Sequence, residues 1–454
     1  MNSEADVVVV GAGLAGFCTA IEAAAQGANT LLLEKMGTVG GSTVLSGGSM
    51  AFAGTDDQTS RGIKDSSELL ARDLLTVGDY ANDPALVKVY ADNQLDAYRW
   101  LVERGVKYAP VQAAAGQSVP RQHPTDPAEM IRILHREAAA EPRIRIETGR
   151  PVARLLRDPV SMRIIGVQLK DGTKVSAQRG VVLTAGGFSR NPEMVEQFAP
   201  LQSAAKSVGG PGNVGDGIKM AWHMGAGLRD MAYIKGTFGN RPDARPEEHT
   251  AMMAIYKGAI AVNKLGRRFV DESISYKLIG DAVLQQPDHV GYQILDEPIF
   301  ALGVDGVKMY DFRARLREGS LLKAGSIEEL AVKIGVPATA LAETVATYNA
   351  GVLAGRDEQF ARSGLVQGYG ELRTIETAPF YAYPSTSALI ATYCGVTVDP
   401  RMQVLDVFGE PIPGLFAAGE MTGGFHGKAF MTGTSLGKCV ICGRIAGRNV
   451  ALRN

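Results

Sequence analysis

The chain has 454 residues, 45% apolar and 21% charged, an ordinary folded composition with room for two or three domains. Its 47 basic and 48 acidic residues leave a formal charge of −1, with no Lys/Arg run to follow a phosphate backbone, so nucleic-acid binding has no electrostatic footprint. Four Cys make no disulfide framework, and no apolar stretch reaches the roughly 20 residues of a membrane span, so a reducing cytoplasm is the expected setting.

The opening stretch, Met1 to Asp6, carries acids and no basic run, and is not read as a secretory leader. Val7 to Val10 is a β-branched run of the kind that forms a buried parallel strand. Gly11-Ala12-Gly13-Leu14-Ala15-Gly16 follows, then alanine-rich helical text to Ala25, with Gly27 as the stop. A second strand, Thr30 to Leu33, closes on Glu34, 18 residues after Gly16. Strand, glycine turn, helix, strand and acid make a βαβ dinucleotide-binding unit. The glycines permit a tight turn and close approach of backbone to a pyrophosphate, and the helix N-terminus offers N–H donors and a partial positive charge. Glu34 is suited to ribose hydroxyls. This unit alone does not choose between FAD and NAD.

A glycine-rich loop spans Gly37 to Gly48, with Gly40-Gly41-Ser42-Thr43 and Ser46-Gly47-Gly48 where a flavin chain would run on from the adenosine. Helical text is expected over about residues 65–104, and a β-meander from Ile144 to Val182, turned at Asp171-Gly172. The meander ends in Thr184-Ala185-Gly186-Gly187. A further close-approach loop is Gly209-Gly210-Pro211-Gly212 with Gly215-Asp216-Gly217. From about 230 to 370 the texture changes to mixed, charged sequence with helices at Ser326 to Ile334 and Ala338 to Gly351. Gly414 to Glu420 then returns to strand and glycine turn, and a long helix begins near Thr434-Ser435-Leu436. The reading is an α/β chain: a Rossmann-like dinucleotide-binding domain in two parts, 1–230 and 371–454, with an inserted α+β domain at 231–370.

Taken together, the N-terminal motif with Glu34, the Gly-Gly-Ser-Thr…Ser-Gly-Gly loop, Thr184 to Phe188, Gly215 to Gly217, Ala261 to Glu272 and Leu415 to Gly447 resemble the fumarate reductase/succinate dehydrogenase flavoprotein family over essentially the whole chain. The resemblance implies FAD, an inserted domain that caps the substrate, and oxidoreductase chemistry on CH–CH groups. It implies cofactor contacts at Gly11, Ala12, Gly13, Leu14, Ala15 and Gly16, at Glu34 and Lys35, and at Gly41, Ser42, Ser46, Gly47 and Gly48. Further contacts are implied at Val152, Ala185, Gly186, Asp216, Gly419, Glu420, Ser435 and Leu436. The family's covalent attachment places a His where this chain has Ser42-Thr43, so the FAD is expected to be non-covalent.

Fumarate reducers of this family use an arginine as proton donor, matched here to Arg268. The residues that clamp two carboxylates are not matched: their positions fall on Ala391-Thr392, near Phe430 and near Thr237. A second branch, the 3-ketosteroid Δ1-dehydrogenases and similar cyclic-ketone desaturases, resembles Asp271-Glu272-Ser273-Ile274-Ser275-Tyr276. There a tyrosine takes a proton while hydride leaves to flavin N5, and a tyrosine hydroxyl and a glycine N–H hold the ketone. The matching segment runs from Phe430 to Thr434, and Phe430 lacks the hydroxyl. Tyr393 and the N–H groups of Gly433 and Thr434 are the expected replacements, with Arg268 as a cationic neighbour that lowers the Tyr276 pKa.

The expected function is FAD-dependent desaturation beside a ketone in a cyclic, mostly apolar substrate, with electrons passing to a quinone, a carrier protein or oxygen. The alternatives are an ene-reductase of fumarate reductase type and a flavin electron-transfer subunit. His123 is a candidate substrate contact, and His426 is expected to be structural. Cys439-x-x-Cys442 has redox spacing but sits in helical text, so buried thiols are expected. The six His show no metal-ligand spacing.

Overall fold

The computed structural model of the protein describes residues 3–246, 248, 250–366 and 370–452. The strand Ser3–Val10 lies between Thr30–Leu33 and Lys174–Leu183, parallel to both, and Ile144–Glu147 and Pro411–Ala417 extend the parallel sheet on its two sides. Val7 to Val10 are all buried, on both faces of the sheet, which is why their sequence does not alternate. Val152–Arg157, Ile164–Leu169 and Lys174–Leu183 form the expected antiparallel meander.

Two helices pack against each other beside the central strand: Leu14–Ala25 and the C-terminal Thr434–Ala451. Glycine makes the approach possible. A Cβ on Gly443 would sit 2.6 Å from the Ala15 carbonyl oxygen, and one on Gly447 would sit 2.4 Å from that of Thr19. Arg444 and Arg448 both reach Glu22 across this contact, at 2.5 and 2.9 Å. The chain's first and last thirds are thus one packed unit.

The second sheet is antiparallel at its centre, in the order Thr237–Asn240, Phe380–Leu389, Gly291–Asp296, Ile260–Asn263, with Leu322–Ala324 also on Phe380–Leu389. It has its own hydrophobic core, with helices Ile327–Ile334 and Ala338–Leu353 at the positions expected. The sheet does not stop at residue 370. Phe380–Leu389 is its central strand, and Lys206–Ser207 pairs with that strand from the other side of the expected boundary.

The helical text of 65–104 is two helices, Ser67–Val77 and Pro84–Glu103. The break follows from Gly78, from positive φ at Asp79 and Tyr80, and from Asp83 capping a helix that starts on Pro84. Among the described residues no helix is long and apolar enough to cross a membrane.

Candidate active site

A cavity of about 310 Å³ opens at the C-terminal ends of the parallel strands. Gly11 ends the first strand at φ +110°, and its N–H donates to the Leu33 carbonyl at 2.7 Å. A Cβ there would lie 2.5 Å from the Thr184 carbonyl oxygen, and one on Gly16 would lie 1.9 Å from that of Gly11. Those two glycines close the turn. Gly13 is different: a Cβ there would meet no protein atom nearer than 3.9 Å, so its free side is cavity. Gly13 gives the helix starting at Leu14 no side-chain cap, and with the Leu14 N–H donated to the Thr43 hydroxyl at 3.3 Å, the N–H groups of Ala15 and Gly16 are left for an anion.

Glu34 follows the second strand and is held rigidly. Its carboxylate accepts the Ala12 N–H at 2.9 Å and the Met36 N–H at 2.8 Å, and it lines the cavity. Lys35 and Asp216, also in the lining, pair at 2.5 Å. Leu14, Ala15, Gly41, Ser42, Val152, Ala185 and Gly186 complete the expected wall. Ala12, Gly16 and Gly419, also expected as contacts, are not in it; a Cβ on Gly419 would press to 2.8 Å of the Ala15 Cβ, so this glycine serves packing. An open glycine edge, a helix end without a side-chain cap and a fixed carboxylate in the cavity wall fit the adenosine diphosphate half of FAD.

A second cavity of about 120 Å³ adjoins the first, sharing Ser42, Thr43, Glu420 and Cys439. The first fold unit contributes Ser46, Gly47, Gly48, Gly433, Ser435 and Leu436. The second contributes Thr237, Tyr276 and Met309, and Tyr393, Phe430 and Thr432 close the space. Of the expected chemical residues, Tyr276, Tyr393, Phe430 and Gly433 therefore converge. Tyr393, at φ +59°, stacks on Phe430 with ring centroids 4.6 Å apart, and His426 meets the Tyr393 ring edge-on at 5.1 Å. The Tyr276 hydroxyl accepts a bond from the Thr432 hydroxyl at 3.4 Å. Burial pushes the Tyr276 phenol well above its usual range, and the Thr432 bond offsets this only partly. Burial also raises the pKa of Glu420, whose carboxylate is fixed at 2.9 Å by the Thr392 N–H and by the Asn213 amide.

Three expected participants lie elsewhere. Arg268 lines neither cavity: its guanidinium forms a forked pair with Glu272 at 2.9 and 2.6 Å and another with Asp357 at 3.0 and 2.8 Å. Arg362 joins the same buried network through Glu272 at 3.3 Å. The eight residues from Arg268 to Tyr276 run through a loop, so the spacing brings no contact, and Arg268 lowers no Tyr276 pKa. His123 is buried among Phe52, Tyr98 and Tyr108, bonded to the Thr55 hydroxyl at 2.9 Å and the Arg121 carbonyl at 2.8 Å. Thr434 turns its N–H, the expected donor, back to the Met431 carbonyl at 3.3 Å, and its hydroxyl to the same oxygen at 2.7 Å. Cys439 and Cys442 are buried, unpaired thiols.

Reading of the sequence missed Thr237, Thr432, Asn213 and Lys277. The signal for Lys277 was available. It is a lysine on the buried face of the helix Tyr276–Leu284, in register with Gly280 and Leu284.

The family described as FAD binding domain matches residues 6–436. "Fumarate reductase (cytochrome)" of Shewanella frigidimarina is 33% identical over 457 residues, covering 98% of this chain and 77% of that protein. "Urocanate reductase" of Eggerthella lenta is 32% identical, covering 99% of this chain and 75% of that one. The crystal structure of 3-ketosteroid-delta4-(5alpha)-dehydrogenase from Rhodococcus jostii RHA1 superposes with a TM-score of 0.78 at 28% identity, covering 99% and 97% of the two chains. With a glycine cradle cut for a dinucleotide and a second cavity beside it, the chain belongs to the FAD-binding domain family and is an FAD-dependent oxidoreductase of the fumarate reductase type.

Proposed function

We propose that the protein moves two hydrogens across the carbon–carbon bond beside a carbonyl in a flat, largely apolar substrate carrying at most one charge. The carrying observation is the lining of the second cavity: Tyr276, Tyr393, Phe430, Met309 and Ile390 make an apolar wall, Glu420 and hydroxyls such as those of Thr237 and Thr432 are its polar part, and no Arg or His lines it among the described residues. A fumarate-like dianion would leave at least one of its two carboxylates there without a cationic partner, a burial that costs several kcal/mol per ion. The stacked Tyr393–Phe430 wall suits a ring instead.

FAD, held non-covalently in the larger groove, supplies hydride exchange. The chain's residues exclude water, orient the ring and hold the proton. Tyr276 carries that proton on its hydroxyl. Reduction delivers it to the carbon next to the carbonyl as hydride arrives at the next carbon; desaturation removes the same two. Tyr276 is protonated in the resting protein, the state that delivery needs, which agrees with the reductases among the relatives. Desaturation is the second reading, favoured by the Asp271 to Tyr276 pattern and by the steroid dehydrogenase neighbour. It requires the Tyr276 proton to leave first, and the Thr432 hydroxyl is its hydrogen-bonded neighbour. The electron partner is a quinone, a carrier protein or oxygen.

Anaerobic mixing separates these. Photoreduced holoprotein should be reoxidised by cyclic enones or aryl acrylates at least 100-fold faster than by fumarate. Fastest reoxidation by fumarate would reject the proposal. Bleaching of oxidised holoprotein by saturated cyclic ketones would establish the desaturating direction.

A further inference from the structure

The phenylalanine at 430 leaves the proposed carbonyl oxygen without the hydroxyl that the sequence pattern calls for. A different donor stands beside the same rings. Lys277 is fully buried, and its ammonium donates to the Thr237 hydroxyl oxygen at 2.7 Å and to the Lys235 carbonyl at 3.2 Å. An ammonium has three donors, so one is left. The charge lies 4.6 Å from the Tyr393 ring centroid, 5.5 Å from that of Phe430 and 5.6 Å from that of Tyr276, the three rings that line the cavity. No carboxylate lies within 4.0 Å of it among the described residues, since Asp281, one turn along the helix, is paired with Lys235. Thr237 lines the cavity, and its hydroxyl accepts from Lys277 without donating to any acceptor among the described residues.

From this geometry we propose that Thr237 and Lys277 form the site for the substrate's carbonyl-type oxygen: Thr237 donates to it, and Lys277, as positioning residue, fixes and polarises Thr237 from behind. The proposal rests on the reading of the cavity as the substrate chamber and adds the oxygen's location to it. The chemistry follows from charge. As hydride is added to or removed from the neighbouring carbon chain, this oxygen takes on enolate character. A buried ammonium with no ion partner is the complement of that charge, worth most where water is excluded. A carboxylate oxygen of an aryl acrylate and a ketone oxygen share this demand.

The groups facing the ammonium explain its state before substrate arrives. Burial lowers the Lys277 pKa to about 7; Asp281 and Glu420 oppose this, and Lys235 adds to it. Tyr276 and Tyr393 are held neutral by burial, and His426 is neutral for the same reason and because Lys438 and Lys277 face it. An anionic oxygen entering the cavity would therefore bind the protonated form and hold it protonated.

The test uses 4-nitrophenol, a planar phenol whose phenolate reports ionisation by its colour, titrated into holoprotein and read as a difference spectrum at pH 6. It needs no turnover, so it stands or falls separately from the assigned reaction. Wild-type protein should bind the phenolate. Lys277→Met and Thr237→Val should each bind the probe at least tenfold more weakly, or bind it as the neutral phenol. In parallel, kcat/KM should fall above about pH 7 in the wild type, with that limb absent from Lys277→Met. Three results would overturn the proposal: no binding to wild type, binding as neutral phenol there, or equal phenolate binding by both variants. An aryl acrylate that competes with 4-nitrophenol would identify the carboxylate form of substrate, and competition by a cyclic enone alone the ketone form.

Discussion

Tyr276→Phe removes one oxygen and leaves the ring that packs in the second core. The lost bond is the 3.4 Å contact from Thr432, and the backbone N–H of residue 276 stays bonded to the Tyr256 hydroxyl at 2.7 Å. A hydrogen bond of that length contributes at most about 1 kcal/mol, so the melting temperature should barely move. The chemical step should suffer far more. Losing a positioned proton donor slows a reaction by roughly 10²–10⁴-fold, or about 3–5 kcal/mol of barrier. The assay is anaerobic single-turnover absorbance of the flavin, with FAD content measured on the same sample. A variant that holds FAD, melts like wild type and turns over within threefold of it would remove Tyr276 from the mechanism.

The two glycines of the turn should separate folding from cofactor binding. Gly13→Val, at φ −83° with open space beside it, should leave apoprotein stability within about 1 kcal/mol while abolishing FAD uptake in a fluorescence titration. Gly11→Ala, at φ +110° and 2.5 Å from the Thr184 carbonyl, should lose folded yield itself. Glu34→Ala strips the acceptor from two N–H groups and from the ribose, so FAD affinity should fall by about 10–100-fold; unchanged affinity would contradict the assignment. Arg268→Ala leaves Asp357 and part of Glu272 buried without their partner, at a cost of about 3–5 kcal/mol in denaturant midpoints, with kcat of the folded fraction kept within about tenfold. A collapse of kcat at unchanged stability would return Arg268 to the chemistry. Lys277 titrates in the folded protein at about 7, below its unfolded value. Between pH 7 and about 10.4 the unfolded chain therefore binds more protons, and stability rises with pH. Lys277→Met should flatten that slope and melt higher than wild type at pH 7, and an unchanged slope would contradict the depressed pKa.

Much of the dinucleotide half was legible because backbone requirements write themselves into sequence. A strand buried on both faces reads Val7-Val8-Val9-Val10, and a turn with φ +110° reads Gly11. The substrate chamber is different, because it is assembled from segments far apart in sequence: Thr432 meets Tyr276 across 156 residues, and Thr237 meets Lys277 across 40. Motif matching found Tyr276, Tyr393 and Phe430 individually. A structural pairing of Arg268 with Asp271 or Glu272 was legible from their proximity in sequence, and Glu272 is the partner; the second partner, Asp357, was not, since it lies 89 residues away. His123 misled for a related reason: its polar neighbours Arg121 and Gln122 are themselves buried, so a polar-looking loop is interior. The break at Gly78 to Asp83 was readable from its Gly and Asp-Pro signals, but helical text on either side hid it.

The central claim is that a groove for FAD meets a chamber in which Tyr276 faces the reacting carbon. A crystal structure of the holoprotein with a non-reacting planar enone or aryl acrylate analogue tests it most directly. The expected result is the ring against Phe430, the oxygen at Thr237, and the carbon next to the carbonyl within about 3.5 Å of the Tyr276 hydroxyl. An analogue bound outside this chamber, or bound in it with Tyr276 turned away from that carbon, would contradict the account.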